Sequence, residues 1–112
     1  MAVKRWELKD WAKENLKGVE NILLPSFDPK TLELDEEGIR WDVQQSIRHG
    51  FFSTLCSSEV ALTFDEAKRF VEIAADEAKG KILVSTTLFF HSMEHNIEMS
   101  KHAAKVGCHS AL

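Results

Sequence analysis

Residues 63–86 read Thr63-Phe64-Asp65-Glu66-Ala67-Lys68-Arg69-Phe70-Val71-Glu72-Ile73-Ala74-Ala75-Asp76-Glu77-Ala78-Lys79-Gly80-Lys81-Ile82-Leu83-Val84-Ser85-Thr86, and this stretch decides the fold. Thr63 followed three residues later by Glu66 is a capping-box sequence, in which each side chain satisfies a backbone N–H that the first helical turn leaves open. Behind it Ala67, Phe70, Val71, Ala74, Ala75 and Ala78 recur at helical spacing and trace a wide apolar face. Gly80 suits the left-handed position that closes a helix. The apolar run from Lys81 to Phe89 that follows reads as a strand. Helix, glycine, strand is one half-turn of a βα repeat.

The same punctuation recurs on both sides, at Gly18, Gly50, Gly80 and Gly107. A spacing of about 30 residues is that of a βα unit. Upstream, residues Val3 to Lys17 carry Leu8, Trp11, Ala12 and Leu16 at helical spacing, which predicts an amphipathic N-terminal helix packed on the body as a lid. Asn21 to Phe27 reads as the first strand, ended by Pro25 and Pro29 in a loop. Asp35 caps a helix with Ile39, Val43 and Ile47 on one stripe, and Glu36 and Glu37 complement the positive end of its dipole. Phe51 to Cys56 is the second strand. Downstream of the deciding stretch, Ser92 caps a helix through Ile97 and Ala104 to Val106, and Cys108 to Leu112 opens a fourth strand. Strands alternating with helices imply a parallel sheet joined by right-handed crossovers. An open doubly wound sheet and a closed barrel both satisfy that pattern, and periodicity alone does not separate them.

Composition narrows the function classes. A chain of 112 residues is one domain or less, with 44% hydrophobic and 29% charged residues, an ordinary globular balance. The formal net charge of -4 offers no basic field to phosphates, so no nucleic-acid partner is expected. No apolar run spans a bilayer, and Met1 to Trp6 is followed by no apolar leader segment, so no membrane partner is expected and a cytoplasmic location is. Cys56 and Cys108, far apart in sequence, are expected as reduced thiols.

The quoted motifs also carry a resemblance. Leu24-Pro25-Ser26-Phe27, Leu34-Asp35-Glu36-Glu37-Gly38-Ile39, His49-Gly50-Phe51-Phe52 and Leu62-Thr63-Phe64-Asp65-Glu66-Ala67-Lys68, followed by Gly80-Lys81-Ile82-Leu83-Val84 and His102-Ala103-Ala104-Lys105-Val106-Gly107, stand in an order and spacing similar to the start of the dihydrodipicolinate synthase and N-acetylneuraminate lyase family. The resemblance runs from Gly18 to Leu112. It implies a partial (β/α)8 barrel of about three and a half units in residues 19–112, with residues 1–18 as an extra N-terminal helix. It further implies a lyase or aldolase that makes or cleaves carbon–carbon bonds of 2-keto acids such as pyruvate, through a lysine Schiff base and without a cofactor.

In that family a Gly-Thr-Thr-Gly-Glu loop after the second strand holds the pyruvate carboxylate. The matching positions here are Cys56-Ser57-Ser58-Glu59, so Ser57, Ser58 and Glu59 are the candidate substrate-binding residues. Two hydroxyls are kept and both glycines are absent. The alternative reading of Ser57 and Ser58 is that they satisfy backbone groups of the loop itself. The resemblance puts the Schiff-base lysine on the sixth strand and the proton-relay tyrosine between there and the fourth, beyond the matching residues. The chain has no tyrosine at all, and Lys81, at the amino end of its strand, faces away from the end where βα folds carry their sites. No catalytic residue is therefore expected within the chain. The expectation is either part of a protein of about 300 residues or a non-catalytic half-barrel that self-associates, since open sheet edges and an uncovered apolar face seek a partner. Either way a homo-oligomer is expected.

Three other constellations carry weaker chemistry. His91-Ser92-Met93-Glu94-His95 fits a zinc-hydrolase pattern, but it needs a third ligand and straddles the helix cap, so no metal is expected. His102, two turns beyond His95, reads as part of a solvated stripe. Cys56 reads as a small packing residue rather than a nucleophile. Trp6, Trp11 and Trp41 read as helix-packing groups rather than a ligand box.

Overall fold

The computed structural model describes residues 3–112. Four strands, β1 Glu20–Leu23, β2 Ser53–Cys56, β3 Leu83–Thr86 and β4 Ser110–Ala111, form one sheet in the order β1-β2-β3-β4. Every pairing is parallel, with Glu20 opposite Ser53, Ser53 opposite Leu83, and Ser85 opposite Ser110. Helices α2 Glu36–Arg48, α3 Phe64–Ala78 and α4 Met93–Val106 are the crossovers. Strand order settles what periodicity leaves open. A doubly wound sheet reverses order and so puts helices on both faces, whereas consecutive right-handed crossovers in a 1-2-3-4 sheet all fall on one face. The chain is an α/β fold of the partial (β/α)8-barrel kind.

Strand alternation then sorts the side chains. Asn21, Leu23, Thr54, Cys56, Val84 and Thr86 face the helices. There Leu23, Cys56 and Val84 pack with Ile39 and Val43 of α2, Ala67, Phe70, Val71, Ile73, Ala74 and Ala78 of α3, and Met99 and Ala103 of α4. Burial of side chains the size of Phe70 or Ile73 stabilises by about 1.5–3 kcal/mol each, which makes α3, in the middle of the helical layer, the keystone. Arg40 ties α2 to α3 through Asp76 at 2.7 Å and Glu77 at 3.3 Å. The other face carries Glu20, Ile22, Ser53, Leu55, Leu83 and Ser85, and on it Ile22 is 64% exposed. This is the face that a closed barrel turns inward.

The capping box and the two other caps form as read: Thr63 Oγ1 accepts from the Glu66 N–H while the Glu66 carboxylate accepts from the Thr63 N–H, Asp35 accepts from Gly38, and Ser92 from His95. The strands are shorter than the apolar runs that contain them. Asn21 to Phe27 pairs only as far as Leu23, because Ser26 and Phe27 turn to meet the next loop, with the Ser26 carbonyl accepting from Asp35 N–H at 2.8 Å and Phe27 bridging Leu34. Phe51 and Phe52 precede β2, and residues 87–89 follow β3, although the Thr87 and Leu88 N–H groups still donate across to the Cys56 and Leu112 carbonyls. The N-terminal helix is also shorter, a 3-10 turn at Arg5–Glu7 followed by α1 Leu8–Asn15, since Leu16 leaves the helical region at ψ 71. Residues 1 and 2 of the expected 1–18 unit lie outside the described residues. No residue of α1 is buried, and its tie to the body is Trp11 tilted against His109, 6.1 Å between ring centroids. Trp6 and Trp41 are not packing groups: they are 76% and 59% exposed, Trp6 in a short 3-10 turn that is exposed throughout and Trp41 on the outward side of α2. In α4 the inward positions are Met99 and Ala103, while Ile97 points outward.

The two ends of the sheet are built differently. At the amino end, the returns from helix to strand occupy only residues 49–52, 79–82 and 107–109, and each contains a glycine of positive φ, +79 at Gly50, +77 at Gly80 and +106 at Gly107. Gly107 is itself the left-handed cap of α4, a conformation that a side chain disfavours. At the carboxyl end the connections run longer, through residues 24–35, 57–63 and 87–92.

Candidate functional site

Chemistry in a parallel βα fold gathers where the strands end, because there the loops are free and the helix N-termini point. At the carboxyl ends of β2 and β3 the structure places Ser57, Ser58 and Glu59 beside Thr86 and Thr87. Ser57 is anchored by its N–H to the carbonyl of Leu23 at 3.1 Å, which ties the loop to β1. Ser58 is fully buried, and its N–H donates to Thr87 Oγ1 at 3.1 Å. Its hydroxyl lies 2.6 Å from Thr86 Oγ1 and 3.3 Å from the Cys56 carbonyl. The Thr87 hydroxyl donates to the Glu59 carboxylate, and Glu59 itself is exposed.

Of the three candidates, Ser58 thus has both its N–H and its hydroxyl engaged within the rim. The Ser57 hydroxyl makes no hydrogen bond among the described residues, and Glu59 stands at the open side. Thr86 and Thr87 escaped the reading of the sequence, although a signal was there. In a consecutive parallel sheet the residues just past β3 must adjoin those just past β2, so a hydroxyl pair at 86–87 follows serines at 57–58.

A second polar cluster lies at the amino end, on the inward face. The Glu20 carboxylate accepts from Ser53 Oγ at 2.5 Å and from Ser85 Oγ at 2.8 Å, tying three strands together. His109 lies nearby, with Nδ1 at 2.6 Å from the Val84 carbonyl. Burial holds its imidazole below the usual histidine range, opposed by that hydrogen bond and by the charge of Glu20. On the helix-facing side, Asn21 Oδ1 and Thr54 Oγ1 are buried without a partner.

The remaining candidates disperse. Cys56 is fully buried, and burial pushes its thiol well up, so it is a packing group. Burial pushes Cys108 up to about 12. His91 precedes α4, the His95 ring stacks on Phe64 at 4.1 Å, and His102 Nε2 sits 3.1 Å from the Lys68 carbonyl and 3.4 Å from Glu72. His95 and His102 have therefore gone to different neighbours, and His91 lies outside the helix that carries them. Among the described residues no three His, Cys, Asp or Glu side chains are grouped to hold a metal. Lys81 is exposed, ahead of β3 at the amino end. No helix among the described residues is long and apolar enough to cross a membrane.

A one-faced parallel sheet with a hydroxyl-rich loop at its carboxyl ends defines a portion of a (β/α)8-barrel protein. No family model matches the chain. Over 101 residues, 87% of the chain and 33% of the relative, it is 32% identical to the 4-hydroxy-tetrahydrodipicolinate synthase of Protochlamydia amoebophila. It is 31% identical over 97 residues, 82% of the chain and 33% of the relative, to an N-acetylneuraminate lyase of Clostridium perfringens. Among solved structures, the dihydrodipicolinate synthase from Aquifex aeolicus matches the fold with a TM-score of 0.75 at 24% identity, covering 84% of the chain and 33% of that structure. The chain belongs to the dihydrodipicolinate synthase and N-acetylneuraminate lyase family, and spans about a third of the length of the curated relatives it matches.

Proposed function

We propose that the chain forms part of the wall and the substrate loop of a lyase or aldolase that makes or breaks carbon–carbon bonds of 2-keto acids such as pyruvate, through a Schiff base on a lysine outside these residues. The observation that carries this reading is the position of Ser57, Ser58 and Glu59 at the carboxyl end of β2, in a chain whose similarity reaches both the synthase and the lyase. In this reading Ser57 and Ser58 belong to the carboxylate-holding loop, with Glu59 at its edge. A Schiff-base lysine needs a neutral amine, which requires a desolvated position. Lys81, beside the start of β3, is solvated at the opposite end of the sheet, and in this reading the reacting amine comes from outside these residues. Borohydride trapping with pyruvate tests the assignment, since reduction turns the Schiff base into a permanent adduct. The expected result is no adduct on residues 1–112 alone and one adduct per subunit on any longer protein that includes them; a longer protein that traps nothing contradicts the reading.

A second reading, favoured by one observation, is a self-associating α/β module without catalysis. Ile22 on the inward face, with Phe89, Met93 and Ile97 along the β3–α4 side, leave apolar surface open at both flanks of the sheet. Homo-oligomerisation belongs to either reading. A cytoplasmic setting does too, supported by two free cysteines and the acidic balance of the chain.

A further inference from the structure

We infer that Glu59 is an internal stand-in for the ligand carboxylate, occupying the hydroxyl that an acidic substrate would use and so setting how tightly the loop binds its anion. This rests on the carboxylate-holding reading of the serine loop and extends it from location to regulation. Three observations converge. The Thr87 hydroxyl, which adjoins the serine loop, is already given to a carboxylate, that of Glu59. Thr87 is 4% exposed whereas Glu59 is exposed, so a fixed, buried donor meets an acceptor on a solvent-accessible arm. The same Thr87 oxygen accepts the Ser58 N–H at 3.1 Å, so the bond to Glu59 also orients the serine loop.

An incoming carboxylate would meet the Ser57 hydroxyl without a competitor, but at Thr87 it must displace Glu59 and approach a like charge. Hydrogen bonds from a hydroxyl to an ionised carboxylate are among the stronger ones, and like-charge juxtaposition opposes binding. Apparent affinity then falls by the fraction of molecules in which Glu59 is swung away. Removing the Glu59 side chain removes that competition without touching a donor. Glu59 is thus a positioning and specificity residue, and it disfavours anions too weakly bound to displace it.

The test is a pyruvate titration of the isotopically labelled chain, following the amide resonances of Ser57 and Ser58, in the wild type, Glu59→Ala, Glu59→Ala with Thr87→Val, and Glu59→Ala with Thr87→Ser. The expected result is binding about tenfold tighter in Glu59→Ala than in the wild type, retained with Thr87→Ser and lost with Thr87→Val. Equal affinity in the wild type and Glu59→Ala overturns the inference while leaving the loop as a carboxylate site. No response of either amide in the wild type or Glu59→Ala removes the carboxylate reading itself, and the inference with it.

Discussion

The two ends of this sheet use the same chemical unit, a carboxylate accepting hydroxyls, to opposite effect. At the amino end Glu20 belongs to a strand, and both its donors, Ser53 and Ser85, are buried residues of the next two strands, β2 and β3. At the carboxyl end Glu59 belongs to a loop, and its one donor among the described residues is Thr87. The first arrangement has nowhere to go, because β-ladder geometry fixes all three residues. The second can be undone by a side-chain rotation. What separates a fixed carboxylate from a movable one here is the backbone that carries it.

Truncation is the sharpest way to break that comparison. Glu20→Ala strands two buried hydroxyls, and is expected to lower unfolding free energy by about 2 kcal/mol, read as a shift of the urea midpoint. Glu59→Ala takes the acceptor from one buried hydroxyl, that of Thr87, which can turn to the Cys56 carbonyl 3.5 Å away, and should cost no more than about 1 kcal/mol in the same experiment. Equal losses would make the two carboxylates equivalent and end the distinction. A smaller effect is expected within the rim: Thr86→Val removes the partner 2.6 Å from the buried Ser58 hydroxyl, which keeps the Cys56 carbonyl, so a loss of about 1 kcal/mol should appear in thermal unfolding.

The smallest effect concerns His109 and sharpens the amino end. Its folded pKa lies below the unfolded value of 6.5, so the unfolded chain binds more protons in the interval between them. The contribution of His109 is therefore complete above about pH 6.5 and declines as pH falls through the lowered folded value. Half-burial keeps the slope shallow. His109→Gln should flatten the stability profile over that interval in denaturant titrations at several pH values, and an unchanged slope would remove His109 from the account.

The elements that declared themselves in the sequence are those specified by local chemistry. Thr63 with Glu66, Asp35 and Ser92 each start a helix because a side chain meets a backbone N–H within one turn, and Gly50, Gly80 and Gly107 mark the returns because their backbones take positive φ. Strand ends were less legible. An apolar run such as Asn21 to Phe27 records burial, not pairing, and it is the distant Leu34 and Asp35 that draw Ser26 and Phe27 out of the ladder. The tryptophans misled for a related reason, since residue type predicts burial only when the helical face is known, and Trp41 lies on the solvent side of α2. The place of Ser57, Ser58 and Glu59 just past the end of β2 was legible from the motif. Thr86 and Thr87 were not, because their role arises from strand adjacency rather than from any pattern in their own segment.

The unequal turns at the two ends of the sheet carry a consequence for how such a chain varies. Returns of three or four residues, each pinned by a glycine, leave no slack, and an insertion there would slide a strand out of register with its neighbours. The opposite connections, at residues 24–35, 57–63 and 87–92, run past the strand ends and, beyond the first residues that still bond across the sheet, absorb added or lost residues at a small entropic cost. Differences in length among relatives should therefore collect on that one rim, where they reshape the mouth of the fold and leave its scaffold untouched.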